Sequence, residues 1–185
     1  MKKKLRAALY DPYLDVLGGG ERHILSILTT LQEEGYQINI FWESNLTNKI
    51  RERFQLDFSK ASWQSNIFKK RFFPLSILKT IQILRTFELF FYVTNGSYFF
   101  SSAKKNFVFC IVPNKKLYPM NFFNKIKTWN YHFITNSQFT QKRLQERGIK
   151  SEVIYPYVED KLINTKLNLK KKDKIILSVG RFFQP

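Results

Sequence analysis

Residues 17–23 read LGGGERH, and three of the 7 glycines of the chain stand together in this stretch. It follows a short apolar run at residues 5–10 that reads as a strand. It leads into residues 21–34, where apolar side chains recur at the spacing of one helix face until Gly35 ends the pattern. A glycine-rich turn between a buried strand and an amphipathic helix predicts the first strand–helix unit of an α/β sheet.

The alternation of strands and helices continues along the chain. Further apolar runs that read as strands occupy residues 36–42, 87–93, 107–112, 131–135 and 153–155. A helical pattern follows Pro74 and covers residues 75–86. A second one begins after Ser137, an expected N-cap, and ends at Arg147. Residues 45–73 predict a short helix, a weak strand and a basic connector. This order is typical of a Rossmann-like, doubly wound α/β fold with a mostly parallel sheet, which is the fold that we predict.

A change in composition marks the end of this unit. Residues 160–174 are polar, rich in Lys and Asn, and have no apolar period, which indicates an interdomain linker. We therefore expect a Rossmann-like domain over residues 1–159 and the start of a second, truncated domain over residues 175–185, with its first strand at 175–179.

Composition limits the class of protein. The chain has 185 residues and is 44% hydrophobic, which is enough to form a core and excludes wholesale disorder. Its net charge of +17 favours an anionic partner: nucleic acid, an acidic lipid surface or a phosphorylated small molecule. No signal peptide is recognisable, because Asp11 and Pro12 interrupt the first apolar run. No spanning segment is expected either, because the longest apolar stretches are shorter than the ~20 residues that a spanning helix needs.

Cysteine and histidine are scarce. Because Cys110 is the single cysteine, no internal disulfide can form, and we predict a cytoplasmic location. One Cys and 2 His are too few for a His/Cys metal site, so we predict no metal ion. Cys110 lies within an apolar run and is expected to be a buried hydrophobe. His23 is expected to be exposed on its helix, and His132 to be a hydrogen-bonded sheet residue.

The three glycines carry the strongest chemical signal. Free N–H groups at a helix N-terminus attract phosphate, and Gly18, Gly19 and Gly20 have no side chains to block its approach. The alternative is a flexible turn without a ligand. The stretch lacks both the dinucleotide fingerprint and the P-loop ending, so neither NAD nor ATP is expected, and no cofactor is predicted.

Four segments in order resemble family 4 glycosyltransferases of the GT-B architecture. They are GGGER at 18–22, HFITNSQFTQKRL at 132–144, VIYPYV at 153–158 and ILSVGRF at 176–182. GGGER is similar in particular to the mannosyltransferases that extend lipid-linked oligosaccharides of the cell envelope. The resemblance extends from Leu5 to Phe182, nearly the whole chain.

The resemblance implies an enzyme with two Rossmann-like domains that face a cleft. The first domain would bind a glycan or lipid-linked acceptor, and the second a nucleotide-diphosphate sugar as co-substrate. The sugar would be transferred with retention, without an obligatory metal. Gly18, Gly19 and Gly20 would lie near the donor diphosphate, and Gly180 and Arg181 of the VGR motif would contact it, since an arginine fork can hold two phosphate oxygens.

Polar residues at two other strand ends are further binding candidates. Asn136 and Ser137 follow the strand at 131–135, where they either cap the next helix or face the cleft. Lys115 and Lys116 follow the strand at 107–112 and either meet a phosphorylated or lipid-linked acceptor or form a solvated charge run.

Two departures from the family pattern limit the expected activity. Ile111 stands where many relatives carry a His or Gln that contacts the sugar or acceptor, and the remaining donor-binding residues would fall after Pro185. We therefore assign no catalytic residue and expect this chain alone to be inactive.

The positive charge leaves other functions open. Residues 68–73, FKKRFF, are suited to anionic lipid headgroups, which predicts peripheral contact with a membrane. Nucleic acid is the less favoured partner, since the basic residues are spread along the chain and form no recognisable module. The alternative to glycosyl transfer is a non-catalytic remnant or interaction domain that binds one of these anionic partners.

Overall fold

The computed structural model describes residues 5–68, 74–157 and 175. The strands in this part of the chain are β1 Arg6–Tyr10, β2 Gln37–Phe41, β3 Ser62–Gln64, β4 Leu89–Val93, β5 Lys105–Cys110, β6 Tyr131–Thr135 and β7 Ser151–Val153. The helices are α1 Gly19–Glu33, α2 Thr47–Phe54, α3 Pro74–Leu84, α4 Phe122–Lys127 and α5 Gln138–Gln145.

The seven described strands form one sheet in the order β3-β2-β1-β4-β5-β6-β7, and every pairing is parallel. β1 lies between β2 and β4, with Ala8 opposite Asn39 on one side and Phe90 on the other. The chain builds outward from β1 to β3, returns through α3, and then builds outward from β4 to β7. This confirms the predicted Rossmann-like, doubly wound α/β fold.

Helices cover both faces of the sheet. On one face, Ala7 and Leu9 of β1 pack in a cluster that includes Ile24 and Leu28 of α1. On the other face, Ala8 belongs to a cluster of α3, α5 and strand residues. Successive strand residues point to opposite faces, so the nearly continuous apolar runs in the sequence follow from burial on both sides. Cys110 is fully buried in the second cluster, as predicted.

Several element boundaries differ from the sequence-based expectation. α1 begins at Gly19, so two of the three glycines lie inside the helix and not in the turn before it. β7 ends at Val153, where the apolar run had predicted that it begins. α4 was not predicted at all, because its apolar side chains face no core.

The predicted linker at 160–174 lies outside the described residues, as does the predicted strand at 175–179 except for its first residue. Within the described ranges, none of the helices is both long and apolar enough to cross a membrane.

Candidate functional site

The site is defined by the point where the order of the strands reverses. β1 and β4 are neighbours, but the chain leaves β1 toward β2 and leaves β4 toward β5. The segments that follow these two strands therefore diverge and leave a crevice at the carboxyl edge of the sheet, where open α/β sheets bind ligands. The segments at this crevice are residues 11–20 and 94–98.

The three glycines form the start of α1. Gly18 is the N-cap, with φ −91° and ψ −164°, and its N–H donates to Oε2 of Glu21 at 2.6 Å. The first intrahelical hydrogen bond is donated by Arg22 to the Gly18 carbonyl at 3.0 Å. The N–H groups of Gly19, Gly20 and Glu21 precede that bond and have no intrahelical acceptor. They are the donors that the helix start offers to an anion.

Gly19 and Gly20 have different structural roles. A β-carbon at Gly20 would lie 2.8 Å from Cδ1 of Ile111, so glycine lets α1 pack closely on the end of β5. A β-carbon at Gly19 would have no atom within 4 Å, and its φ is not in the left-handed region. Glycine in a helix costs about 0.5–1 kcal/mol relative to alanine. Nothing in the described packing compensates for that cost at Gly19.

The chain enters this turn through a constrained residue. Leu17 has a left-handed backbone, with φ 47° and ψ 47°, although it is not glycine. This conformation costs about 1–2 kcal/mol for a residue with a β-carbon. It is held because the Leu17 side chain is buried and its carbonyl accepts a hydrogen bond from Nε of Arg53 at 3.1 Å. These two contacts therefore fix the direction of the backbone at Gly18, where α1 begins.

Asp11, directly after β1, is a site residue that the sequence analysis did not identify. Its side chain is buried, and Oδ1 accepts a hydrogen bond from the N–H of Tyr13 at 2.9 Å. Oδ2 is buried without a hydrogen-bond partner among the described residues. Burial, with smaller contributions from the charges of Glu21 and Asp15, raises the pKa of Asp11 to about 7. Its position at the carboxyl end of a central strand was the available signal.

These groups suit a ligand that carries phosphate. The N–H donors at the start of α1 can hold phosphate oxygens. The Asp11 carboxyl is buried, and its raised pKa keeps much of it uncharged near neutral pH, so it adds little negative charge against an anion. The nearby carboxylates of Glu21 and Asp15 disfavour a bare multiply charged anion. A phosphate carried on a larger, less highly charged molecule fits this combination of N–H donors and carboxylates.

The segment that follows β4 on the other side of the switch point is a tight loop. Gly96 has φ 96°, and a β-carbon there would lie 2.9 Å from the carbonyl oxygen of Leu117, so this position requires glycine. The Gly96 N–H donates to Oγ1 of Thr94 at 3.1 Å, and the Tyr92 hydroxyl donates to the Ser97 carbonyl. The loop thus uses much of its own hydrogen-bonding capacity and is rigid.

Asn136 and Ser137 follow β6 and act as caps. Oγ of Ser137 accepts the N–H of Thr140 at 3.2 Å, and Oδ1 of Asn136 accepts the Thr140 hydroxyl at 2.9 Å. β6 neighbours β5, so these residues lie one strand beyond Ile111 along the same edge. Their described contacts are those of a helix start, and each side chain remains partly accessible.

The predicted basic residues are not assembled into one site by the described structure. Lys115 and Lys116 begin a short 3-10 turn after β5, and Lys116 is exposed, with its N–H donating to Oδ1 of Asn114 at 3.0 Å. Gly180 and Arg181 lie outside the described residues.

His23 is not exposed, contrary to the expectation from sequence. It faces the sheet one helical turn after Gly20, and its ring meets the edge of Phe109 with centroids 5.5 Å apart. Both ring nitrogens are buried without partners among the described residues, and burial lowers the pKa of His23. With Tyr155 and Tyr157, among others, it lines a cavity of about 160 Å³ beside α1. His132, by contrast, is exposed on β6.

Within residues 5–68, 74–157 and 175, there is no group of three or more His, Cys, Asp or Glu side chains placed to hold a metal ion. Comparison with protein-family models, with curated proteins and with solved structures found no match for this chain.

Proposed function

We propose that this chain is the acceptor-side domain of a retaining glycosyltransferase, which passes a sugar from a nucleotide-diphosphate donor to a glycan or lipid-linked acceptor. The observation that carries the proposal is Gly19, which occupies the start of α1 at the switch point of the sheet, where neither its backbone angles nor the packing of the described residues requires glycine. Glycine at this position leaves the backbone N–H groups open to the close approach of a ligand, which supports the proposal.

The proposed chemistry is positioning and charge stabilisation. The N–H groups of Gly19, Gly20 and Glu21 would stabilise negative charge on the diphosphate as the glycosidic bond to it breaks. Gly180 and Arg181 would complete the phosphate contacts, and a second domain would supply the rest of the donor site.

Anion binding at α1 can be tested by nuclear magnetic resonance on the ¹⁵N-labelled chain titrated with a sugar monophosphate and then with nucleoside diphosphates. We expect the amide signals of Gly19, Gly20 and Glu21 to shift. Gly35 and Gly148 are internal controls, because their N–H groups already donate to Gln32 and Gln145 at 3.1 and 2.8 Å. Shifts confined to other regions would exclude the helix start as the anion site.

Glycosyl transfer itself is tested by turnover of the complete protein from its natural source with a panel of nucleotide sugars. Gly19→Val should lower kcat/KM about 10- to 100-fold, the value of one or two hydrogen bonds to a charged group, while leaving the fold intact. Gly148→Ala is the control. Gly148 lies away from the crevice, and because its φ is 71° the substitution affects the stability of the fold and not the proposed ligand contact. Equal turnover in Gly19→Val and wild type would refute the assignment, and absence of turnover with every donor would refute glycosyl transfer.

A further inference from the structure

α4 carries a group of large apolar side chains that the fold leaves in solvent. Phe122 is 72% exposed, Phe123 70%, Ile126 42% and, just after the helix, Trp129 78%. None of the six residues of α4 is buried, although the whole helix lies within the described part of the chain. We call these four residues the α4 patch. Exposed apolar groups of this size mark surfaces that contact another molecule.

The patch has a defined geometry. Phe122, Ile126 and Trp129 are spaced four and three residues apart, so they lie on one face of the helical turn and its continuation. Phe123 lies beside this face, with its ring centroid 5.9 Å from that of Phe122. Four large, exposed apolar side chains are thus grouped within eight residues of one short helix and its end.

Polar contacts, not these apolar side chains, hold α4 in place. Oδ1 of Asn121 accepts the N–H of Asn124 at 2.9 Å, and the Asn124 side chain donates to the Pro119 carbonyl at 2.7 Å. At the other end, the Thr128 hydroxyl donates to the Asn124 carbonyl and the Asn130 side chain to the Ser101 carbonyl. The rings of the patch contribute little to folding, so they can be replaced without loss of the fold.

The positive charge around the α4 patch favours an anionic partner. Between Glu88 and Glu146 the chain has no acidic residue and 8 basic ones. Two of these, Lys125 and Lys127, lie on α4 itself, and Lys125 is exposed. A surface of aromatic rings flanked by lysines complements an anionic lipid interface, where rings enter the headgroup region and ammonium groups meet phosphates. Ile126, in the centre, cannot stack on a nucleobase but gains from contact with acyl chains.

We propose that the α4 patch is the docking surface of this domain for an anionic membrane, with the apolar side chains inserted between headgroups and Lys125 and Lys127 on the lipid phosphates. This position replaces the sequence-based expectation at residues 68–73. Phe68 is buried and stacks on Tyr10 at 4.2 Å, and residues 69–73 are outside the described part. The inference does not depend on glycosyl transfer, since no residue of the crevice takes part in it.

The test uses the full chain and vesicles of phosphatidylcholine with and without phosphatidylglycerol. Vesicles that contain phosphatidylglycerol should bind the chain, and binding should weaken with added salt because the lysine contribution is screened. Trp42 and Trp63 are partly buried, so brominated lipid should quench mainly Trp129. Trp129→Phe should remove that quenching while sedimentation with vesicles persists.

Variants locate the contact. Phe122→Ser with Trp129→Ser should weaken partitioning about 100-fold, because each ring contributes roughly a factor of ten when it leaves water. Lys125→Gln with Lys127→Gln should reduce the dependence on phosphatidylglycerol. Phe139→Ser is the matched control, since Phe139 is an aromatic residue of α5, 58% exposed and outside the patch, and its loss should leave binding unchanged.

Three results would overturn the proposal. Wild-type binding by the Phe122→Ser/Trp129→Ser variant would place the lipid contact elsewhere. Loss of a concentration-dependent dimer in that variant, with no vesicle binding by wild type, would identify the patch as a contact between two copies. Binding of the wild type to a single-stranded oligonucleotide but not to vesicles, and its loss in the variant, would identify a nucleic-acid surface.

Discussion

Replacement of Asp11 by asparagine tests the electrostatics of the crevice. The substitution keeps Oδ1 as the acceptor for the Tyr13 N–H and removes the ionisable group. It replaces Oδ2, which has no partner among the described residues, so no described hydrogen bond of the side chain is lost. The unpaired amide of the variant resembles the unpaired hydroxyl of a protonated Asp11.

The size of the effect follows from the pKa of Asp11, about 7 in the native state against an ordinary value of 3.8. Between these pH values the native state keeps a proton that the unfolded chain has lost, so the unfolding free energy falls as pH rises. At about 1.4 kcal/mol per pH unit, the wild type loses up to about 4 kcal/mol between pH 4 and pH 8 through this group. Asp11→Asn avoids that loss.

The measurement is urea unfolding of both proteins at a series of pH values. We expect nearly equal unfolding free energies at pH 4, and a variant that is more stable by about 2–4 kcal/mol at pH 8. All other titrating groups are common to the two chains, so they cancel in the difference. A difference that does not change with pH, or a variant that is less stable at pH 8, would show that the pKa of Asp11 is not raised in the native state and would refute the reasoning.

Two further stability predictions concern the face of α1 that packs on β5. Gly20→Ala should destabilise the fold by about 1–2 kcal/mol, because the new β-carbon would meet Cδ1 of Ile111. Ile111→Val should suppress that cost, since valine lacks the Cδ1 atom. Additive losses of unfolding free energy in a double-mutant cycle would contradict the contact. His23→Leu should raise the unfolding free energy below pH 6. In the wild type at that pH the buried imidazole stays neutral while the unfolded chain binds a proton, which favours unfolding. A gain in unfolding free energy that grows toward high pH would contradict this prediction.

The fold was predictable because apolar runs and helical periods alternate clearly along the chain. Residues 107–112 illustrate this: their apolar character follows from burial on both faces, and β5 is found there with its start displaced to Lys105. The start of α1 was less predictable, because Gly19 and Gly20 signal a loop by composition but become helical once α1 packs on Ile111. Tertiary contact decided that boundary, not local propensity.

The candidate site was only partly predictable. The glycines at the switch point were recognisable because glycine is scarce, whereas Asp11 looks like any polar residue that ends a strand. Its importance depends on the depth of burial, which is set by packing around the carboxyl end of β1. The prediction of an exposed His23 is wrong for the same reason: the sequence does not show that the packing of α1 brings this ring against Phe109.

The central position of β1 has a consequence for synthesis of the chain. β1 is completed at Tyr10, but its neighbour β4 ends only at Val93. At about 5–20 residues per second, the ribosome needs roughly 4–17 s to make the intervening chain. Throughout that time one edge of an apolar strand, Ala7–Leu9, has no native partner and is open to wrong pairing. Nascent chains of this protein should therefore bind chaperones until β4 has emerged, and should be released soon afterwards.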